Sequence, residues 1–204
     1  MLPLEKPKYR DISHQIHAPF TSPINKTIIL TLKLRSGPAQ PHIAKFTHSG
    51  SQINDWTPEG SMAKTRHIYP DFIMFIKDTM QELRYMGHDV ELAGIFYHVG
   101  ENDMSMGPYR DKAAKWLHSA VVQSRQDLAM PALKWFVSQQ PPTDHKDVNR
   151  IDVTSALETI AAADSGLIHI KAFDLPKQEK QLVIDTRGIV ELGELIARRY
   201  LAQE

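Results

Sequence analysis

Two short stretches concentrate residue types able to handle a polarised carbonyl group. In Thr47-His48-Ser49-Gly50-Ser51-Gln52-Ile53-Asn54-Asp55-Trp56, a small-residue turn lets backbone N–H groups approach a substrate oxygen, which is what an oxyanion hole requires. Taken alone, the segment also reads as a tight strand-to-helix turn. In Gly94-Ile95-Phe96-Tyr97-His98-Val99-Gly100-Glu101-Asn102-Asp103, a Gly-x-Asn-Asp block follows an apolar run. There the Asn102 side-chain amide can face a developing oxyanion. Glu101 and Asp103 read first as loop residues that bond backbone groups and cap the next helix.

The histidines add two candidates. His98 stands at a strand end beside the second stretch and has two readings, a ligand contact or a hydrogen-bonded structural group. His169 lies inside an apolar strand and reads as packed. Trp56 and Tyr97 have the ring faces to stack on a sugar, although Trp56 at such a position is usually core. No H-E-x-x-H or comparable metal spacing occurs. With no cysteine in the chain, disulfides, thiolate metal sites and cysteine nucleophiles are excluded. No cofactor is expected.

Lys+Arg and Asp+Glu both number 24 in the 204 residues, so the charge balance argues against a nucleic-acid or anionic-membrane partner. A neutral partner such as a sugar is compatible with it. The hydrophobic content of 42% suits one domain with a continuous core. The start, MLPLEKPKYR, has no apolar h-region, and no run approaches the ~18 apolar residues of a spanning helix. As written, the chain reads as cytoplasmic and without an export signal.

Alternating elements must position the two stretches. Strand patterns fall at 42–47, 92–97, 133–137 and 167–170, each a short apolar or alternating run. Helical patterns fall between and after them. Phe72, Ile76, Met80 and Leu83 mark a helix over 71–86 stopped by Gly87. Ala113, Trp116, Leu117, Ala120 and Val121 mark one over 109–128, and a third spans 153–162. Ile189, Val190, Leu192, Leu195 and Ile196 form the stripe of a fourth, over 187–200. Strands alternating with helices predict a three-layer α/β fold with a largely parallel sheet covered on both faces. Ligands of such sheets bind at the carboxyl ends of the strands, where both stretches lie. Residues 27–34 are β-branched and strand-like, whereas the proline-bearing segment before them reads as loop.

These residues carry a family resemblance. Lys45 through Ser51 with Asn54-Asp55-Trp56 resembles the "IKxAxGGTxLxxDW" segment of the sialate O-acetylesterase (SASA) carbohydrate esterases, in the SGNH hydrolase superfamily. Gly94 through Asp103 resembles their "GxxWHQGExD" signature. Asp185-Thr186-Arg187-Gly188 with Glu191-Leu192-Gly193 resembles "HFDTAGQxxLG". Order and spacing agree from about residue 20 onward, which divides the chain into an irregular segment at 1–19 and a domain at 20–204. Phe20-Thr21-Ser22-Pro23 matches the family's "FGPE" as well, and that match would make 28–34 helical; the conformation of residues 24–35 stays open.

The resemblance implies a flavodoxin-like sheet and a metal-free Ser–His–Asp hydrolase that removes acetyl groups from sugars. It also implies that the catalytic residues are not retained here. The family's nucleophile sits in a "GQSNM" loop after its first strand, and no Gly-Gln-Ser-Asn occurs in this chain. Its Asp-x-x-His falls on Lys180 and Val183, which can neither orient nor supply a base. Val99 replaces the signature glutamine and Ser49 a glycine. Ser49, Gly50, Gly100 and Asn102 remain as oxyanion or substrate-binding remnants, and Glu101, Asp103 and Asp185 as structural signature. Asp11-Ile12-Ser13-His14 has the dyad spacing at the wrong end of the chain and reads as chance.

In the 2-1-3-4-5 strand order, the missing first strand would lie between the strands at 42–47 and 91–98. Two expectations follow. One is an inactive esterase-family chain from a truncated or mis-started gene, with relatives often secreted. The other is a non-catalytic carbohydrate-binding or interaction module, a pseudoenzyme. A hydrolase site rebuilt from local residues is a third and remoter option. An acetylated sugar is the expected partner. Self-association is expected through strand edges left unpaired by the gap, unless residues 27–34 fill it.

Overall fold

The computed structural model describes residues 27–34, 41–61, 63, 66–139, 152–171 and 184–203. Five strands form one sheet: β1 Thr27–Leu34, β2 Pro41–Thr47, β3 Val90–Val99, β4 Trp135–Gln139 and β5 Leu167–Ile170. The helices are α1 Tyr69–Tyr85, the short α2 Glu101–Ser105 and α3 Gly107–Arg110, then α4 Ala113–Asp127, α5 Asp152–Ala163 and α6 Thr186–Leu201. The sheet order is β2-β1-β3-β4-β5. β3, β4 and β5 pair in parallel. β1 runs antiparallel to both β2 and β3, so β2 points the same way as β3.

The fold is therefore the expected α/β sheet, with one difference at its middle. The position expected to be empty is filled by residues 27–34, as a strand and not as the helix that the "FGPE" match implied. Its direction has a simple cause. Only residues 35–40 join β1 to β2, and a parallel crossover needs a dozen residues or more, whereas an antiparallel hairpin does not. Two neighbouring strands so briefly connected can pair only head to tail.

β1 also explains why β3 begins before the predicted 92–97. Its ladder with β3 continues down to Leu34 opposite Val90. Between Thr31, opposite Gly94, and Leu32, opposite Leu92, the register shifts, which leaves Ala93 as the extra residue of a bulge. The bulge resets the alternation, so Val90 and Leu92 reach the same core as Ile95, Tyr97 and Val99.

That core is one face of the sheet. Phe72, Ile73, Ile76 and Met80 of α1, Leu117 and Val121 of α4, and Val153 and Leu157 of α5 pack against Leu32, Ile95, Tyr97, Trp135, Val137 and Leu167. Burying each such aliphatic or aromatic side chain is worth ~1.5–3 kcal/mol. On the opposite face Phe96, Phe136 and Ile170 meet Leu195, Ile196 and Tyr200 of α6. The predicted stripe of α6 needs one correction: Val190 is 56% exposed. It sits about 100° round the helix from Ile189, off the buried line, and Tyr200 extends the stripe instead. α1 ends as expected, with Gly87 at φ 88°, a left-handed conformation that glycine adopts without a Cβ penalty. Among the described residues no helix is long and apolar enough to cross a membrane.

Candidate functional site

The carboxyl ends of β2 and β3 lie side by side with the start of β1, since Thr27 opposes Thr47 and Ile28 opposes Tyr97. From β2 the chain enters a turn at Ser49 and Gly50, where Gly50 has φ 63°. Such a positive φ is open to glycine and strained for a larger residue. Ser51 is buried beneath the turn, its Oγ donating to the His48 carbonyl at 2.9 Å and accepting from Trp56 Nε1 at 3.0 Å. A 3₁₀ turn, Ile53–Trp56, follows and is buried throughout. Asp55 Oδ2 accepts the Gln52 N–H at 2.8 Å and holds that turn closed.

Gly100 opens α2 after β3, its carbonyl accepting from the N–H groups of Asp103 and Met104, each at 3.2 Å. Asp103 is fully buried and reaches across to the other stretch, where its Oδ1 accepts the Ile53 N–H at 3.0 Å. Asn102 is half-buried, with Nδ2 set 3.5 Å from the Ser51 carbonyl. Ser49, Gly50, Gly100, Asn102 and Asp103 are thus brought together at one end of the sheet. Glu101 is half-buried in the first turn of α2. Asp185 caps α6, its Oδ1 accepting the Gly188 N–H at 2.8 Å. Lys180 and Val183, like Asp11, His14 and Phe20–Pro23, lie outside the described residues.

Trp56 and Tyr97 belong to the core, their rings in edge contact 6.2 Å apart, so neither offers a free face to a sugar. The Tyr97 hydroxyl is buried without a hydrogen-bond partner among the described residues. Burial pushes its pKa well above the ordinary range, and the charges of Asp103 and Asp55 push it further. His98 shares a 2.7 Å hydrogen bond between Nδ1 and Ser138 Oγ of β4. His169 Nε2 donates to Gln139 Oε1 at 2.9 Å, and burial lowers its pKa.

Arg66, Ser138 and Gln139 were not singled out from the sequence. Arg66 Nη1 donates to the Gly50 carbonyl at 2.7 Å and approaches that of Ser49 at 3.3 Å, with Asp55 4.0 Å away. No motif marks it. Ser138 and Gln139 were legible in principle: β4 runs on to Gln139, and strand ends are where site residues belong.

Chemically, the strand ends offer amide donors: the Asn102 side chain and the backbone about Gly50, whose carbonyl Arg66 holds. A serine beside a histidine is the arrangement of a nucleophile and its base, and Ser138 with His98 has that geometry. However, Ser138 is 0% and His98 3% exposed, so no acyl carbon reaches the hydroxyl. Ser51 is equally enclosed, its hydroxyl donating and accepting within the loop. Among the described residues no group of three or more His, Asp or Glu converges to hold a metal ion.

Comparison with known proteins bears on these features. The family model for "carbohydrate esterase, sialic acid-specific acetylesterase" matches residues 38–202. A crystallographically solved protein from Arabidopsis thaliana is similar in fold, with a TM-score of 0.58 and 19% identity over 76% of this chain. The match covers 58% of that chain. Among curated proteins no sequence matches.

Proposed function

Because this chain belongs to the carbohydrate esterase, sialic acid-specific acetylesterase family, we propose that it is a non-hydrolytic member that keeps the family's scaffold without its catalytic groups. The observation that carries this reading is the antiparallel β1. The family's nucleophile is expected in a loop leaving a strand at this sheet position, and β1 enters the sheet at the site end instead of leaving it there. The sequence supports it independently: no Gly-Gln-Ser-Asn is present, and Lys180 and Val183 stand where the family has its carboxylate and histidine. An imidazole must take the serine proton, and a carboxylate must fix its tautomer. Lysine and valine do neither.

A second reading is favoured by the strand-end donors. The Asn102 side-chain amide and the backbone about Gly50, at the carboxyl ends of β2 and β3, suit a neutral, acetylated sugar as a ligand that is bound and not cleaved. Charge balance supports a partner of this kind over nucleic acid or membrane.

The test is acetate release from aryl acetates and acetylated sugars at neutral pH, with sugar binding followed by calorimetry. No turnover is expected. Saturable acetate release, abolished by substituting one of the chain's own serines, would overturn the non-hydrolytic reading. Sugar binding without turnover, weakened by Asn102→Ala, would establish the binding module.

A further inference from the structure

We propose that β1 is a built-in occluding strand, closing the one sheet position from which a parallel strand would deliver a loop between the ends of β2 and β3. The inference rests on the non-hydrolytic reading and gives it a physical device.

Three features carry it. The strand is paired along its length on both sides, from Thr27↔Thr47 to Lys33↔Pro41 and from Ile28↔Tyr97 to Leu34↔Val90, the second ladder interrupted once by the bulge at Ala93. A strand entering here from elsewhere has to break two ladders. The strand is also anchored by packing, since Leu32 is 2% exposed within the main core. Finally, its direction is fixed by the short link at 35–40, which cannot span a parallel crossover.

Direction decides the chemistry. In a parallel arrangement, the residue after the strand would stand beside His48–Ser51 and Gly100–Asp103. Here Leu34, the last residue of the strand, lies at the opposite end, beside Val90. At ~3.3 Å per residue, eight residues put it roughly 25 Å from the strand-end donors. A serine grafted after Leu34 therefore cannot meet them. β1 supplies the ladder partners that the sheet needs while its outgoing end lies away from the strand-end donors.

The chain has no cysteine, so engineered pairs report cleanly. Directly opposed residues of an antiparallel ladder lie ~4.5–5.5 Å apart at Cα, within the range a disulfide spans. The double variant Lys33→Cys with Glu91→Cys tests the observed register; Thr27→Cys with Glu91→Cys tests the reversed strand. Under mild oxidation, followed by non-reducing electrophoresis of the monomer, the first pair is expected to cross-link and the second to stay reduced. Thr27→Cys with Thr47→Cys is a further antiparallel reporter should the first variant fold poorly. Cross-linking of the second pair, of both, or of none of the three overturns the proposal. Acetate release by the unmodified chain is scored separately. Activity together with an antiparallel cross-link sinks the non-hydrolytic reading and leaves the strand inference standing. Inactivity together with a parallel cross-link does the reverse.

Discussion

Asp103 and Ile53, fifty positions apart, are joined by a buried hydrogen bond of 3.0 Å from the Ile53 N–H to Asp103 Oδ1. This bond fixes the turn after β2 against the turn after β3, and so sets the spacing of the strand-end donors. A carboxylate accepting a backbone N–H is a charge-assisted bond, stronger than a neutral one.

Asp103→Ala is expected to cost about 2–3 kcal/mol, because the Ile53 N–H is then left buried without an acceptor. Asp103→Asn keeps an acceptor and should cost clearly less. Urea unfolding of the three proteins checks the order; equal losses for both variants would remove the clamp from the account.

Gly94 faces Phe136 across the β3–β4 pair. A Cβ there would lie 2.9 Å from Phe136 Cε2, closer than side chains tolerate. Gly94→Ala should destabilise by roughly 1–3 kcal/mol through overpacking. Combined with Phe136→Leu, the loss should be smaller than the sum of the two single losses, since neighbouring substitutions couple. Strict additivity in a double-mutant cycle would contradict this contact.

Stability should fall at both extremes of pH. At Asp164, burial pulls the pKa up, but the hydrogen bonds from Arg125 and Gly166 and the Arg125 charge outweigh it, so the net shift is downward. Asp127 is lowered chiefly by the Tyr69 hydrogen bond. A depressed carboxylate stabilises fully above its unfolded pKa of about 4 and loses that contribution as pH drops further. At the alkaline end, burial and the Asp127 bond raise the Tyr69 hydroxyl. Its contribution is therefore present below about pH 10 and is lost above it. Thermal melts across pH should show both declines, with Asp164→Asn flattening the acid limb and Tyr69→Phe the alkaline one.

Ser138 and His98 should behave as a structural pair. A fluorophosphonate probe is expected to leave the native protein unlabelled, and His98→Ala to cost about 1–3 kcal/mol by depriving the buried Ser138 hydroxyl of its partner. Stoichiometric labelling at Ser138, lost in His98→Ala, would instead mark a relocated nucleophile.

Restoring the base alone should restore nothing. On the proposed non-hydrolytic reading, Val183→His combined with Lys180→Asp supplies an imidazole and a carboxylate but no serine for them to activate, so acetate release is expected to stay at background. Turnover by this double variant would mean that a serine already stands within its reach.

The sequence was legible where burial leaves a local trace. The run Leu167–Ile170 was read with its observed bounds, and the stripe Phe72, Ile76, Met80 placed α1 because its 3.6-residue period is written in consecutive positions. What depends on distant partners was not readable. Residues 27–34 announce a strand through their β-branched side chains, but not which neighbours they join or in what direction. Val190 is as apolar as Ile189, and only the neighbouring sheet decides which one is buried. At the site, the small-residue turn and the Asn-Asp pair stood out by type. Arg66 did not, since its role consists of holding two carbonyls sixteen and seventeen positions away.

The short link between β1 and β2 also bears on the order in which the protein folds. Only residues 35–40 separate β1 from β2 in the chain, whereas β3 follows after α1. A hairpin forms in ~1–10 μs, and a ribosome adds only ~5–20 residues per second. The hairpin can therefore be complete seconds before β3 has been made. β3 would then dock onto an edge that β1 already presents.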